Sequence, residues 1–319
     1  MPKTVTECHR MYDQHPNLPE GKEFIELLYY PNSHAYKIDG HKKIGVSSIP
    51  DIIDKPGLRF YYMNEALSFI ERKLIPDNND KLVLPVSLDE WKDFVKGAKT
   101  AHRAKSDRGK DNGTRTHSWL EEYFTAYKNK TTLPALPERT KILEDAKTWE
   151  AIAQNEVSLE WNNLVSALEE FIGWVSQHEI EVVALEQIIY SLKHDYAGRF
   201  DAVLRIDGKL YLVDFKTNNP SREYPRGIFP EMFCQIGGYD IAYTEEFYPE
   251  LDVKNQSCFD GHAVFNFNKQ TGRFYKQFMT GDDVKVNRAW FLHALGTKKG
   301  QQYNTRKLSM LYKENQGVK

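Results

Sequence analysis

The chain has 319 residues, 40% apolar and 13% aromatic, enough to bury one large core or two smaller ones and too hydrophobic for a disordered chain. Its formal net charge of −2 excludes a globally basic nucleic-acid coat but leaves room for a locally basic groove. No run approaches the roughly 18 apolar residues of a membrane span. Cys8, Cys234 and Cys258 are too few and too scattered for a disulfide framework, a four-thiolate zinc site or a four-cysteine iron–sulfur cluster, and residues 1–10 lack the apolar stretch of a secretory signal. A reducing cytoplasm is the expected compartment, with no membrane partner.

In chain order, Tyr29 to Ile38 reads as a hairpin, and Val46 to Ile49 leads into a helical stretch from Tyr61 to Lys73. Residues 78–85 are loop-like. Ser87 to Glu90 has the form of a capping box, and Trp91, Phe94, Val95 and Ala98 follow at helical spacing. Gly113 precedes another helix, Thr116 to Tyr127, closed by a proline-containing loop, Leu133 to Pro137. Arg139 to Gln154 and Leu159 to Gln177 look helical; the second carries the apolar stripe Leu164, Leu168, Phe171, Ile172 and Val175. The period then changes. Ile180 to Ile189 is β-rich, and Arg199 to Ile206 and Lys209 to Phe215 flank Asp207-Gly208, a strong hairpin-turn signal. A helix, Met232 to Phe247, two strands, His262 to Asn268 and Arg273 to Met279, and a helix near Asp282 to Leu295 complete the pattern before a basic tail. The order implies an α/β core with a helical N-terminal addition.

Residues 198–217 carry the chemistry. A turn centred on 207–208 sets Asp201 opposite Asp214, and Lys216, two residues on, shares the face of Asp214. Like charges directly opposite on a sheet repel, so a compensating cation is expected, and a divalent ion with oxygen ligands suits the pair. Leu210, Leu212 and Val213 mark the strand as buried, where acids seldom lack partners. Taken alone, D-x-K is more often the pattern of a surface ion pair on an edge strand.

With these flanks, G-x-x-D, a hairpin and then hydrophobic-D-F-K-T resemble the PD-(D/E)XK nuclease superfamily. Gln235 and Tyr239 match the Q-x-x-x-Y motif of its RecB-like exonuclease branch. Gly113 to His117, followed by Glu121, resembles that branch's G-x-x-H helix with one residue more between the glycine and the histidine, and Glu186 matches the acid that often precedes the G-x-x-D strand. The N-terminal pattern from Tyr36 to Ile49 resembles phage exonucleases and the mitochondrial genome-maintenance exonuclease. The resemblance implies a restriction-endonuclease-like mixed sheet flanked by helices. It implies Asp201, Asp214, Lys216, Glu186, Gln235 and Tyr239 as catalytic residues. His117, Asp201, Asp214 and the Phe215 carbonyl would be metal ligands, with Mg²⁺, or Mn²⁺ in its place, as the metal and no iron–sulfur cluster. Glu121, one helical turn beyond His117, would ligate or orient a water or a lysine.

Residues 92–116 hold eight basic side chains against three acidic ones, a net of +5. A charge run is often only a solvated helix face. Leading into the His117 helix, this one is expected to track a nucleic-acid backbone, with Lys99, Arg103, Lys105, Arg108 and Arg115 binding DNA. The expected organisation is a mostly helical region, 1–154, covering a DNA channel and contributing the His117 helix; a nuclease core, 155–299; and a basic tail, 300–319. The expected function is a metal-dependent DNA exonuclease acting on single strands or free ends in phage or genome replication, recombination or repair, in the host cytoplasm if phage-encoded. An endonuclease of the same superfamily and a non-catalytic DNA-binding accessory protein are the alternatives. No P-loop signature is present, so no built-in motor is expected.

Overall fold

The computed structural model describes residues 8–12, 18, 20–22, 24–76 and 81–315. Residues 78–80, part of the expected loop at 78–85, lie outside them, as do 316–319 of the expected tail. Strands β1 (Cys8–Tyr12), β2 (Ile25–Tyr30), β3 (Ala35–Ile38) and β4 (His41–Gly45) form an antiparallel meander. Strict alternation of buried and half-buried residues along β2 gives that strand one core-facing side. Short 3₁₀ turns follow at Val46–Ser48 and Pro50–Ile52. Helix α1 (Pro56–Glu71) starts on a proline, whose missing N–H is harmless in a first turn. The two-residue strands β5 (Ile75–Pro76) and β6 (Leu82–Val83) pair with each other.

Helix α2 (Trp91–Asn129) is continuous, where two helices were expected. Gly113 does not break it: an interior glycine costs about 1 kcal/mol relative to alanine, a weak stop signal without a proline beside it. The capping box at its start is present, with Glu90 N donating to Ser87 Oγ and Ser87 N donating to Glu90 Oε2. Helix α3 (Trp149–Val175) begins ten residues later than the expected helix from Arg139. Residues 139–148 are non-helical because asparagine side chains take the backbone bonds a helix would need. Asn162 accepts from Thr140 N and donates to Thr140 O, and Asn155 does the same for Leu143.

The β-rich stretch from Ile180 divides into β7 (Ile180–Leu185) and β8 (Ile188–Ser191), parted by Glu186 at φ 48°. The expected strand from Arg199 to Ile206 likewise divides into β9 (Tyr196–Arg199) and β10 (Ala202–Ile206), which belong to different sheets. Asp207 and Gly208, at φ 49° and 81°, make the turn into β11 (Lys209–Lys216), and the register runs Ala202 opposite Val213 as the turn requires. Helix α4 (Pro230–Phe247) carries the chain over to β12 (Gly261–Phe267), parallel to β11. Strand β13 (Phe274–Thr280) pairs antiparallel with β12, and helix α5 (Asp282–Asn315) follows.

Among the described residues, one sheet has the order β1-β2-β3-β4-β9-β8 and a second has β13-β12-β11-β10-β7. The central strands β10, β11 and β12 of the second sheet are buried on both faces. Tyr211, Val213, Phe265 and Phe267 pack on one side with Phe124 of α2 and Phe171 of α3. Leu210, Leu212 and Val264 pack on the other with Ile236 of α4 and Phe291 of α5. This is the mixed α/β architecture the pattern implied. The chain divides into two compact units. The first comprises Met1–Ile53, His117–Thr140 and Glu160–Lys319, and contains both sheets; the second comprises Asp54–Thr116 and Lys141–Leu159. In the second, Phe69 packs on Phe94, and Trp91 stacks on Phe94 with ring centres 5.7 Å apart. Among the described residues no helix is long and apolar enough to cross a membrane.

Candidate active site

Alternation along β11 sends Leu210, Leu212 and Asp214 toward α4, so Asp214 enters an otherwise apolar layer and is 2% exposed. Lys216, on the same side, makes an ion pair with Asp214 Oδ2. Asp201 stands just before β10, one step beyond the Ala202–Val213 pair, which puts it beside Asp214 on the same face. Its Oδ2 accepts a 2.6 Å bond from Phe215 N, so part of the repulsion between the two carboxylates is met by the backbone itself.

From α4, Gln235 Nε2 donates to the Tyr239 hydroxyl at 3.0 Å and makes a long 3.5 Å bond to Asp214 Oδ1. One amide thus ties the helix to the acid. The Tyr239 ring lies where a side chain at residue 198 would stand: a Cβ there would come within 2.6 Å of it. The glycine of G-x-x-D and the tyrosine of Q-x-x-x-Y are therefore two halves of one close approach.

His117, Glu186 and Asp201 each bring a ligand atom within 4.8 Å of the others. His117 comes from α2, where its ring meets Phe215 edge-on at 6.3 Å and bonds to the Phe215 backbone. Glu186 comes from the left-handed residue between β7 and β8. The set of one imidazole and two carboxylates suits a divalent cation, and the three ligand atoms are close enough for small side-chain adjustments to bring them onto one ion. The electrostatics agree. Burial, with Asp201 beside it, raises the Glu186 carboxyl to about 8, against the pull of Arg199. Burial also raises Asp214, to about 6, with Lys216 acting against it and Asp201 reinforcing it. Burial lowers His117 to about 4, helped by the Lys216 charge, which keeps the imidazole neutral and able to ligate. These are acids short of positive charge, the condition a bound cation relieves.

The structure thus brings His117, Glu186 and Asp201 together, with Asp214, Lys216, Gln235 and Tyr239 linked to them. In this arrangement Asp214 is engaged by Lys216 and Gln235. Lys99, Arg103 and Arg115 are exposed on the part of α2 that belongs to the second unit. Lys105 and Arg108 lie on that helix too, and their side chains are outside the described residues. Sequence reasoning missed Arg199. It occupies a variable position of G-x-x-D, and the available signal was its spacing: two residues before Asp201, on the same parity. Its Nε is 2.9 Å from Glu186 Oε2.

No curated protein sequence matches the chain. Among solved structures, the crystal structure of SSO0001 matches 44% of this chain and 59% of its own at 16% identity, with a TM-score of 0.22, too low to carry an argument. The family model of the PD-(D/E)XK nuclease superfamily matches residues 94–299, well over half of the chain, and these span the His117 helix, Glu186, the Asp201–Lys216 hairpin and the Gln235–Tyr239 helix. The chain belongs to the PD-(D/E)XK nuclease superfamily.

Proposed function

We propose that, among the metal-dependent nucleases of this superfamily, the chain is a DNA exonuclease of the RecB-like branch that works from free ends, single strands included, in genome or phage replication, recombination or repair. The observation that carries the reading is the convergence of His117, Glu186 and Asp201 beside the Asp214–Lys216 pair. The Q-x-x-x-Y helix, linked to Asp214 through Gln235, supports the branch.

The residues divide the work of hydrolysis. His117, Glu186 and Asp201 would hold Mg²⁺ or Mn²⁺, with Asp214 and the Phe215 carbonyl bordering them. When bound, the cation supplies charge neutralisation at the scissile phosphate and acidifies water. Lys216 orients the attacking water with its ammonium and meets the charge that grows on the phosphoryl oxygens. Asp214 holds that ammonium in place. Gln235 holds Asp214, and the Tyr239 hydroxyl fixes the Gln235 amide. The neutral His117 avoids adding charge repulsion where a cation must sit.

A digestion panel tests the reading. Linear and covalently closed DNA, single- and double-stranded, labelled at each end, is incubated with Mg²⁺, Mn²⁺ or chelator. Linear strands should shorten progressively from an end, closed circles should survive, and chelator should stop the reaction. Cutting of closed circles would make the protein an endonuclease. Binding without cleavage in either metal would make it an accessory factor.

A further inference from the structure

Arg199, at the end of β9, is half-buried and contacts Glu186, Glu121 and Tyr29. Its Nε lies 2.9 Å from Glu186 Oε2 and donates at 3.1 Å to the Glu186 carbonyl, so a single group grips both ends of that residue. A terminal nitrogen lies 3.8 Å from Glu121 Oε1. The guanidinium carbon sits 5.9 Å above the centre of the buried Tyr29 ring. Glu186 adopts a left-handed backbone, at φ 48°, that a non-glycine residue holds only when its surroundings impose it. The bond from Arg199 to its carbonyl is such a constraint: one Nε–H, fixed in the planar guanidinium, lies between the carbonyl and the carboxylate of Glu186, a placement that a flexible lysine stem does not fix.

The charges at the site close on a simple count. With all four acids ionised, as a bound cation favours, Glu121, Glu186, Asp201 and Asp214 bring four negative charges, and Arg199 and Lys216 bring two positive ones. The remainder of −2 is what one divalent cation neutralises. Lys216 is committed to Asp214 and Arg199 to the Glu186–Glu121 pair. A second divalent ion in a two-metal arrangement stands about 3.5–4 Å from the first and needs further oxygen ligands besides any carboxylate the two ions share. The carboxylates left for it are the ones Arg199 already bridges.

We infer that Arg199 stands as a fixed organic cation in the place of a second divalent ion, so that the site takes one metal ion, at His117, Glu186 and Asp201. The inference rests on the metal-nuclease reading of the same site. Arg199 is a positioning residue: it aims one carboxylate oxygen of Glu186 and leaves the other face of the acid for the metal. The full chain, stripped of metal, is titrated with Mn²⁺ alone by calorimetry, and the bound Mn²⁺ is examined by electron paramagnetic resonance. Wild type should bind one equivalent, with the signal of an isolated ion. Arg199→Lys, which keeps the charge, should also bind one, more weakly by about tenfold, the range typical of lost support for a metal ligand. Arg199→Gln should bind two, with the signal of a coupled pair. Two equivalents or a coupled signal in wild type would overturn the inference, as would a folded Arg199→Gln that binds only one ion at whatever affinity. Should Arg199→Gln not melt cooperatively, wild type and Arg199→Lys decide: one ion on each upholds the inference, and two on either defeats it. Wild type that binds one Mn²⁺ but leaves all DNA intact would sink the nuclease reading and spare this one. Wild type that cuts DNA and binds two would do the reverse.

Discussion

Glu186 and Asp214 are carboxyl groups held away from water, and their burial links protein stability to pH. In the folded, metal-free chain Glu186 keeps its proton up to about 8, against an ordinary 4.5, and Asp214 to about 6, against 3.8. The unfolded chain releases both protons earlier. His117, pushed down to about 4 from an ordinary 6.5, acts the other way below about 6.5, but the two raised acids outweigh it, so the folded state binds more protons overall and stability falls as pH rises, most steeply above about 6.5. A bound divalent cation reverses the balance, because it favours the ionised carboxylates. The chelated protein should melt lower at about pH 8 than at about pH 5, by roughly 2–4 °C or more, and adding Mn²⁺ should raise the melting temperature more at the higher pH. Thermal melts across that range, with and without metal, check this. A metal-free melting temperature that climbs steadily from about 5 to about 8 would mean that these acids are ionised in the folded chain and that their burial is compensated some other way.

At the scale of elements, the motifs act as spacers between helices and strands. Gly198 leaves room for the Tyr239 ring and for a Val46 methyl, each within 3 Å of where its Cβ would stand. Gly198→Ala should therefore destabilise the protein by about 1–3 kcal/mol, as overpacking does, and lower nuclease activity by pushing Tyr239 away from Gln235. Gly173, inside α3 with nothing within 4 Å of an added Cβ, gives the contrast: Gly173→Ala should raise stability by about 0.5–1 kcal/mol and leave activity unchanged. Urea titrations of the two variants test both, and equal effects would mean that Gly198 is not a contact point. These elements also mark how far the sequence is legible. A two-residue turn admits one register, so the Asp201–Asp214 face could be read from Asp207-Gly208 alone. The apolar alternation of β11 and the stripe of α3 follow from short-range periodicity in the same way. The strap at 139–148 could not be read, because its backbone partners are asparagines 12 to 22 residues away. Nor could the break at Glu186 be read, because its left-handed turn depends on Arg199, thirteen residues later. Periodicity reports which face is apolar; it is silent about a polar side chain that returns from elsewhere to hold a backbone group.

For the molecule as a whole, charge is distributed against its average. The chain totals −2, yet residues 92–116 carry +5, and Lys99 and Arg103 on that stretch are exposed. Fields from surface charges fade over about 8 Å at physiological ionic strength, so a local excess acts on a polyanion even when the global sum repels it. A strand that neutralises its phosphates on these side chains releases counterions. Affinity should then fall with salt by about 0.7 log units per log unit for each phosphate contacted on single-stranded DNA. Replacing Lys99, Arg103, Lys105 and Arg108 together by glutamine should flatten that slope by up to about 3 log units and weaken binding at low salt. The single-turnover cleavage rate at saturating DNA should stay within about twofold of wild type, because the substitutions leave His117, Glu186, Asp201, Asp214 and Lys216 untouched. Fluorescence-anisotropy titrations at four or five salt concentrations give the slope, and rapid-quench measurements give the rate. An unchanged slope would make the basic stretch a solvated helix face. An unchanged slope with a collapsed rate would instead tie these residues to the fold of the second unit, which circular dichroism of the variant would reveal directly.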